Sequence, residues 1–155
     1  MVYSSALWLH SLLRWAILVS GATAWFLSIS GASGRRPWSG KDEMWGTIFI
    51  ITLDTQFLVG LGLYAFLSPF TTIAFQDFAG AMRNASLRFW SVEHIAGMIV
   101  GIALAHIGRA KVQKASTDLS KHVMATIFFG LALVAIIGSI PWPGETVGRP
   151  LIRFR

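Results

Sequence analysis

Long apolar runs alternate along this chain with short clusters of basic and turn-forming residues. The runs fall at about 6–30, 45–68, 89–108 and 122–140. Each is long enough to cross ~30 Å of hydrocarbon at 1.5 Å per residue, so the pattern predicts four transmembrane helices. In the second connection, Phe75, Phe78, Ala79 and Met82 follow helical spacing while Gln76, Asp77 and Arg83 do not. That suits either a short helix lying on the membrane surface or an ordered loop. Pro141-Trp142-Pro143-Gly144 closes the fourth run, because two prolines and a glycine cannot continue a helix. The expected fold is all-α, a four-transmembrane-helix bundle running up-down-up-down, with residues 1–155 as a single membrane domain and both termini on the same side.

Composition agrees with that reading. Of the 155 residues, 54% are hydrophobic and only 13% charged, and the mean hydropathy of +0.61 is outside the range of soluble domains. The first run has no basic segment before it and no small-residue cleavage site, so it is expected to be retained rather than removed as a signal peptide. Arg35, Arg36 and Lys41 lie in the first connection, and Arg109, Lys111, Lys114 and Lys121 in the third. On the opposite side are Arg83, Arg88, Arg149, Arg153 and Arg155. The bias puts the basic connections in the cytoplasm and both termini in the periplasm of a bacterial inner membrane. It also accounts for the net charge of +6 without nucleic acid as a partner. Trp8, Trp90 and Trp142 mark the outer span ends, and Trp25, Trp38 and Trp45 the inner ones, as interfacial aromatic belts do. The chain has no cysteine, which excludes disulfides, iron–sulfur ligation, thiolate catalysis and covalent c-type haem.

Ionisable side chains within a span cost at least ~2.5–3.5 kcal/mol at the bilayer centre on insertion scales, so each is a functional candidate. His10, Arg14, Asp54, Glu93 and His94 qualify. Counting along the helices places His10 ~6 Å and His94 ~7 Å below the outer end of their spans, so the two imidazoles are level. At 100° per residue His94 shares its face with Gly97, Gly101, Ala105 and Gly108, and His10 shares its face with Arg14, Ile17, Gly21, Ala24 and Ser28. Two histidines facing each other above a slot of small residues would suit a b-type haem, with imidazole ligands on opposite faces of the iron and the macrocycle pressed on backbone. Arg14 and Arg88 would then meet the propionates. Small-xxx-small faces also serve plain helix packing in lipid, where a histidine merely bonds across helices.

His106 and His122, near the inner span ends, form a weaker second ligand pair for a second haem. His106 is rotated ~120° from the glycine face, and His122 suits an exposed interfacial position. Asp54 and Gln56 form the most polar patch at bilayer depth. Asp54 lies ~19 Å and Arg14 ~12 Å below the outer surface, a gap the arginine side chain can largely cover. An Asp54–Arg14 ion pair is therefore expected; the functional alternative makes Asp54 and Gln56 a proton relay or quinone contact, with Glu93 serving proton exchange at the outer end.

The segments LHSLLRW (9–15), DTQFLVGLGLY (54–64), LRFWSVEHIAGMIVGIALAHIGRAK (87–111) and IPWP (140–143) resemble a family of small bacterial four-helix integral membrane proteins labelled cytochrome b. The resemblance implies His10 and His94 as the matching histidines, accompanied by Arg14, Gln56 and Arg88. A more distant likeness to the haem-binding anchors of succinate dehydrogenase fails at the spacing of histidines along one helix. The expected function is electron transfer through one haem b near the outer leaflet, as a relay or as a haem-bearing subunit of a redox complex rather than a stand-alone enzyme, with other membrane subunits or further copies as partners. The alternatives are a cofactor-free accessory subunit, and a small transporter or proton channel, which the lack of repeats and broken helices argues against.

Overall fold

The computed structural model describes residues 1–151; Arg153 and Arg155, counted above in the charge bias, lie outside the described residues. Helix α1 spans Val2–Gly34 and stops where Arg35 turns into the left-handed region at φ 49°. Pro37 lies in the short link that follows. Arg36 reaches forward to grip the buried Asp42 carboxylate with two nitrogens, at 2.7 and 2.5 Å. Asp42 also accepts from the Ser39 backbone N–H at 2.9 Å, closing the start of helix α2, Gly40–Gly62. This link is a rigid corner fixed by charge-assisted hydrogen bonds.

Helix α2 runs directly into a π-helical turn, Leu63–Leu67. Three short helices follow in the connection: α3 (Pro69–Gln76), α4 (Phe78–Arg83) and α5 (Ala85–Arg88). Asp77 and Asn84 cap α4 and α5 with side-chain oxygens. The connection is thus helical rather than an irregular loop. A second π-helical turn, Phe89–Glu93, leads into α6, His94–Lys114, and α7 spans Asp118–Gly138.

Four of these helical stretches, Val2–Gly34, Gly40–Leu67, Ala85–Lys114 and Asp118–Gly138, are long and apolar enough to cross a membrane. They extend the expected runs by polar turns at most ends, because helical hydrogen bonding does not stop where hydrophobicity does. The fourth stops short of 140, at Ser139, where the helix ends just before Pro141. Large apolar side chains such as Val19, Phe26, Leu58 and Val134 point outward, the arrangement expected of helices solvated by lipid.

The core is formed mainly by α1, α2, α6 and α7. Phe49 and Phe129 meet edge to face, 5.5 Å between centroids, with Ile17, Ala24, Leu53, Ala105 and Ala132 around them. Helix α7 fits closely against both α1 and α6. A Cβ at Gly97 would collide with Ser139, one at Gly101 with Ile136, and one at Gly21 with Phe49 and Leu133. These glycines are the points at which neighbouring helices touch.

Candidate functional site

One end of the bundle is not filled. A cavity of about 160 Å³ lies between α1, α2, the first π turn, α6 and the C-terminal segment. It runs along α1 from Tyr3 to Ile17, about 20 Å at 1.5 Å per residue. Most of its wall is apolar, with Leu53, Phe57, Met98, Ile102 and Ile136 among the lining.

His10 and His94 both face this cavity, as expected, with ring centroids 6.3 Å apart and planes at 70°. The Nδ1 of His94 lies 2.8 Å from the Ser139 carbonyl oxygen. A carbonyl only accepts, so the proton belongs on Nδ1 and Nε2 keeps its lone pair. Phe89 and Trp90 pack against the His94 ring at 5.8 and 5.6 Å. The Nδ1 of His10 is buried without a hydrogen-bond partner among the described residues. The same ring abuts Gly60, where a Cβ would stand 3.1 Å from His10 Cε1. Gln56 donates from Nε2 to the His10 carbonyl at 2.9 Å, and its own Oε1 is buried and unpartnered. Among the described residues, the wall thus carries polar atoms without a hydrogen-bond partner.

The two π-helical turns build the rim. Leu63, Tyr64 and Trp90 line the cavity, and the Tyr64 hydroxyl donates to the Ser91 carbonyl at 2.8 Å, tying one turn to the other. Thr71, at the start of the connection, donates to the Tyr64 carbonyl. Extra residues in a helical turn re-aim side chains, and such turns concentrate at functional sites.

The tail lies across the mouth. After Gly144, at φ 92°, the chain doubles back, and the Arg149 N–H donates to the Pro141 carbonyl at 3.1 Å. The Arg149 guanidinium sits between Phe70 and Trp90, 5.2 and 5.0 Å from their ring centres. The Leu151 carbonyl accepts from both Arg14 and the Trp15 indole. Arg14, with its Nε buried and unpartnered, and Arg149 both line the cavity.

The other sequence-derived candidates lie elsewhere. Gly21, Gly97 and Gly101 do not line the cavity: the small-residue faces below the histidines are closed by α2 and α7, so they are packing faces, not a slot. Arg88 is held by Glu93 at 2.6 Å and by the Met82 carbonyl, and it is Arg149 that brings a second guanidinium to the cavity. Asp54 does not meet Arg14; it pairs with His106, 2.8 Å away on α6. Asp54 and Glu93 both lie off the cavity, whereas Gln56 lines it. His122 is fully buried rather than interfacial, packed over Gly31 and against Trp38 at 4.9 Å. His106 and His122 therefore have separate neighbours and form no ligand pair. Among the described residues no group of three or more His, Asp or Glu side chains gathers as a metal site.

Tyr64, Gly60, Ser139 and Arg149 were not found by reading the sequence. For Arg149 a signal existed: a Pro-Trp-Pro-Gly reversal followed by a basic residue returns the chain toward the bundle. In comparisons with known proteins, no family model, curated protein or solved structure matches this chain.

Proposed function

We propose that this chain is a membrane-embedded b-type cytochrome, holding one haem between His10 and His94 and working as an electron relay or as a subunit of a larger redox complex in a bacterial inner membrane. The observation that carries the reading is the 6.3 Å separation of two imidazoles on different helices. Two imidazoles from different helices, brought together beside one cavity, are the donor set such a group would need. The resemblance to small four-helix proteins labelled cytochrome b points the same way.

The donor set fits the group. His10 and His94 would hold the iron, and Arg14 and Arg149 would meet the carboxylates of the macrocycle. When bound, haem supplies one-electron transfer. The chain's own residues prepare the site. The Ser139 carbonyl fixes the His94 tautomer and leaves Nε2 its lone pair. Phe89 and Trp90 hold that ring in place, Gly60 makes room for the His10 ring, and the tail lies across the mouth.

A second reading is favoured by the volume. At about 160 Å³ the cavity resembles the engineered apolar site of roughly 150 Å³ that takes up benzene. That size suits a single ring, such as a quinone headgroup, hydrogen-bonded by Arg14 and His10; a macrocycle requires the tail to move outward.

The visible spectrum of the protein purified from membranes separates the two. Sharp reduced bands that vanish in both His10→Ala and His94→Ala are expected. A spectrum without bands, from protein expressed with haem in excess, ends the haem reading. Quinone recovered by solvent extraction would then support the second, and neither ligand would leave a cofactor-free subunit.

A further inference from the structure

The Asp54–His106 pair takes no part in the cavity and poses a separate problem. Both side chains remain about half exposed, 48% and 47%. Asp54 is fourteen residues into the Gly40–Leu67 helical stretch, and His106 is eight residues, about 12 Å at 1.5 Å per residue, from the Lys114 end of its own span. In a lone chain this polar pair therefore opens on the lipid-facing side of a span, where ionisable groups are poorly tolerated. His106 uses Nε2 and Asp54 uses Oδ1, which leaves Nδ1 and Oδ2 without a hydrogen bond among the described residues.

The surrounding surface has a pattern of its own. Ala96, Ala103 and Ala110 of α6 are all exposed, at seven-residue spacing with His106 between the last two. Ile51 and Leu58 of α2, 58% and 68% exposed, flank Asp54 one turn to each side. Small residues let helices approach closely in lipid, and seven-residue spacing keeps them on the seam of a left-handed crossing.

We propose that this face of α2 and α6 is the interface between two copies of the chain, related by a two-fold axis along the membrane normal. Such an axis sets every residue at the depth of its own twin, so a polar pair meets the same pair. An imidazolium–carboxylate pair is self-complementary. Each His106 Nδ1–H donates to Asp54 Oδ2 of the second copy, and the ring of four hydrogen bonds leaves no polar atom facing lipid. The alanine stripe lets the two α6 helices come close enough for that exchange. The interface does not depend on what occupies the cavity.

The chain has no cysteine, so Ala103→Cys introduces a sole thiol at the seam, and Leu131→Cys puts one on the outward face of α7, 49% exposed. In native membranes treated with a mild oxidant, Ala103→Cys is expected to give a disulfide-linked species at twice the 17.0 kDa chain mass, and Leu131→Cys is not. Adding Asp54→Leu with His106→Leu replaces both polar groups without leaving one unpaired, and should remove most of the crosslinked band while circular dichroism in detergent stays helical. The proposal is overturned by absence of the Ala103→Cys band, by equal crosslinking at Leu131→Cys, by a product whose mass reveals a different protein, or by an undiminished yield in the doubly apolar variant.

Discussion

The two ends of the bundle solve opposite problems. At the end holding His122, the helices pack closely: the His122 ring lies directly over Gly31, with both its nitrogens buried and without a partner among the described residues, Phe128 lies over Gly108, and the Arg36–Asp42 pair locks the corner between α1 and α2. At the end holding His10 and His94, two helices are interrupted by π turns, space is left over, and the polar atoms of His10, Arg14 and Gln56 that have no partner among the described residues belong to side chains bordering that space. A chain stabilised only by lipid and packing would gain by filling the second end as it fills the first. The contrast separates a closely packed half from a half that keeps a cavity.

The largest expected effect tests that division directly. His94→Ala, or His10→Ala, should abolish ligand absorbance while leaving the helical content and the thermal unfolding of the ligand-free protein near wild type, because neither ring belongs to the packed core. Loss of the fold along with the spectrum would mean that the histidines are structural and that the two ends are not distinct.

At the closed end the sign reverses. A Cβ at Gly31 would overlap the His122 ring, which has no space to retreat because it is fully buried against Trp38. Gly31→Ala should therefore destabilise the protein by about 1–3 kcal/mol, the usual range for overpacking, read as a lower midpoint in detergent thermal unfolding, with the spectrum of surviving protein unchanged. A smaller loss, about 0.5–2 kcal/mol, is expected for Asp42→Ala. It removes the capping carboxylate and the Arg36 ion pair, but Arg36 remains one-third exposed and can be solvated.

The same contrast explains which parts could be read from sequence. The four spans are visible because each needs about twenty apolar residues to satisfy one constraint, the thickness of hydrocarbon. The level histidines follow from counting along rods. What fills a small-residue face is another matter: Gly97 and Gly101 look alike on a helical wheel whether a macrocycle or Ser139 and Ile136 lies against them, and only the placement of α7 decides. Asp54 paired with His106 rather than Arg14 for a related reason. Counting along one helix gives height along its axis, but the angular positions of α2 and α6 around the bundle do not follow from one helix at a time. The π turns at Leu63–Leu67 and Phe89–Glu93 insert a residue's worth of rotation that no period of 3.6 anticipates.

The tail supplies the smallest effect and the finest test of the open end. Arg149 is held between Phe70 and Trp90, each contact worth about 0.5–1 kcal/mol where partly exposed, and neither aromatic ring depends on it for its place in the fold. Arg149→Gln should leave the unfolding midpoint nearly unchanged, yet raise amide hydrogen exchange across residues 141–151 and speed the loss of a bound cavity ligand to an external acceptor. The expected change is modest, because the Leu151 carbonyl is still gripped by Arg14 and Trp15. Combining Arg149→Gln with Trp15→Phe releases one of those contacts as well, and the two changes should accelerate ligand loss by more than the product of their separate effects if they act as one strap. Independent, multiplicative effects would mean instead that the tail covers the mouth at separate points without closing it.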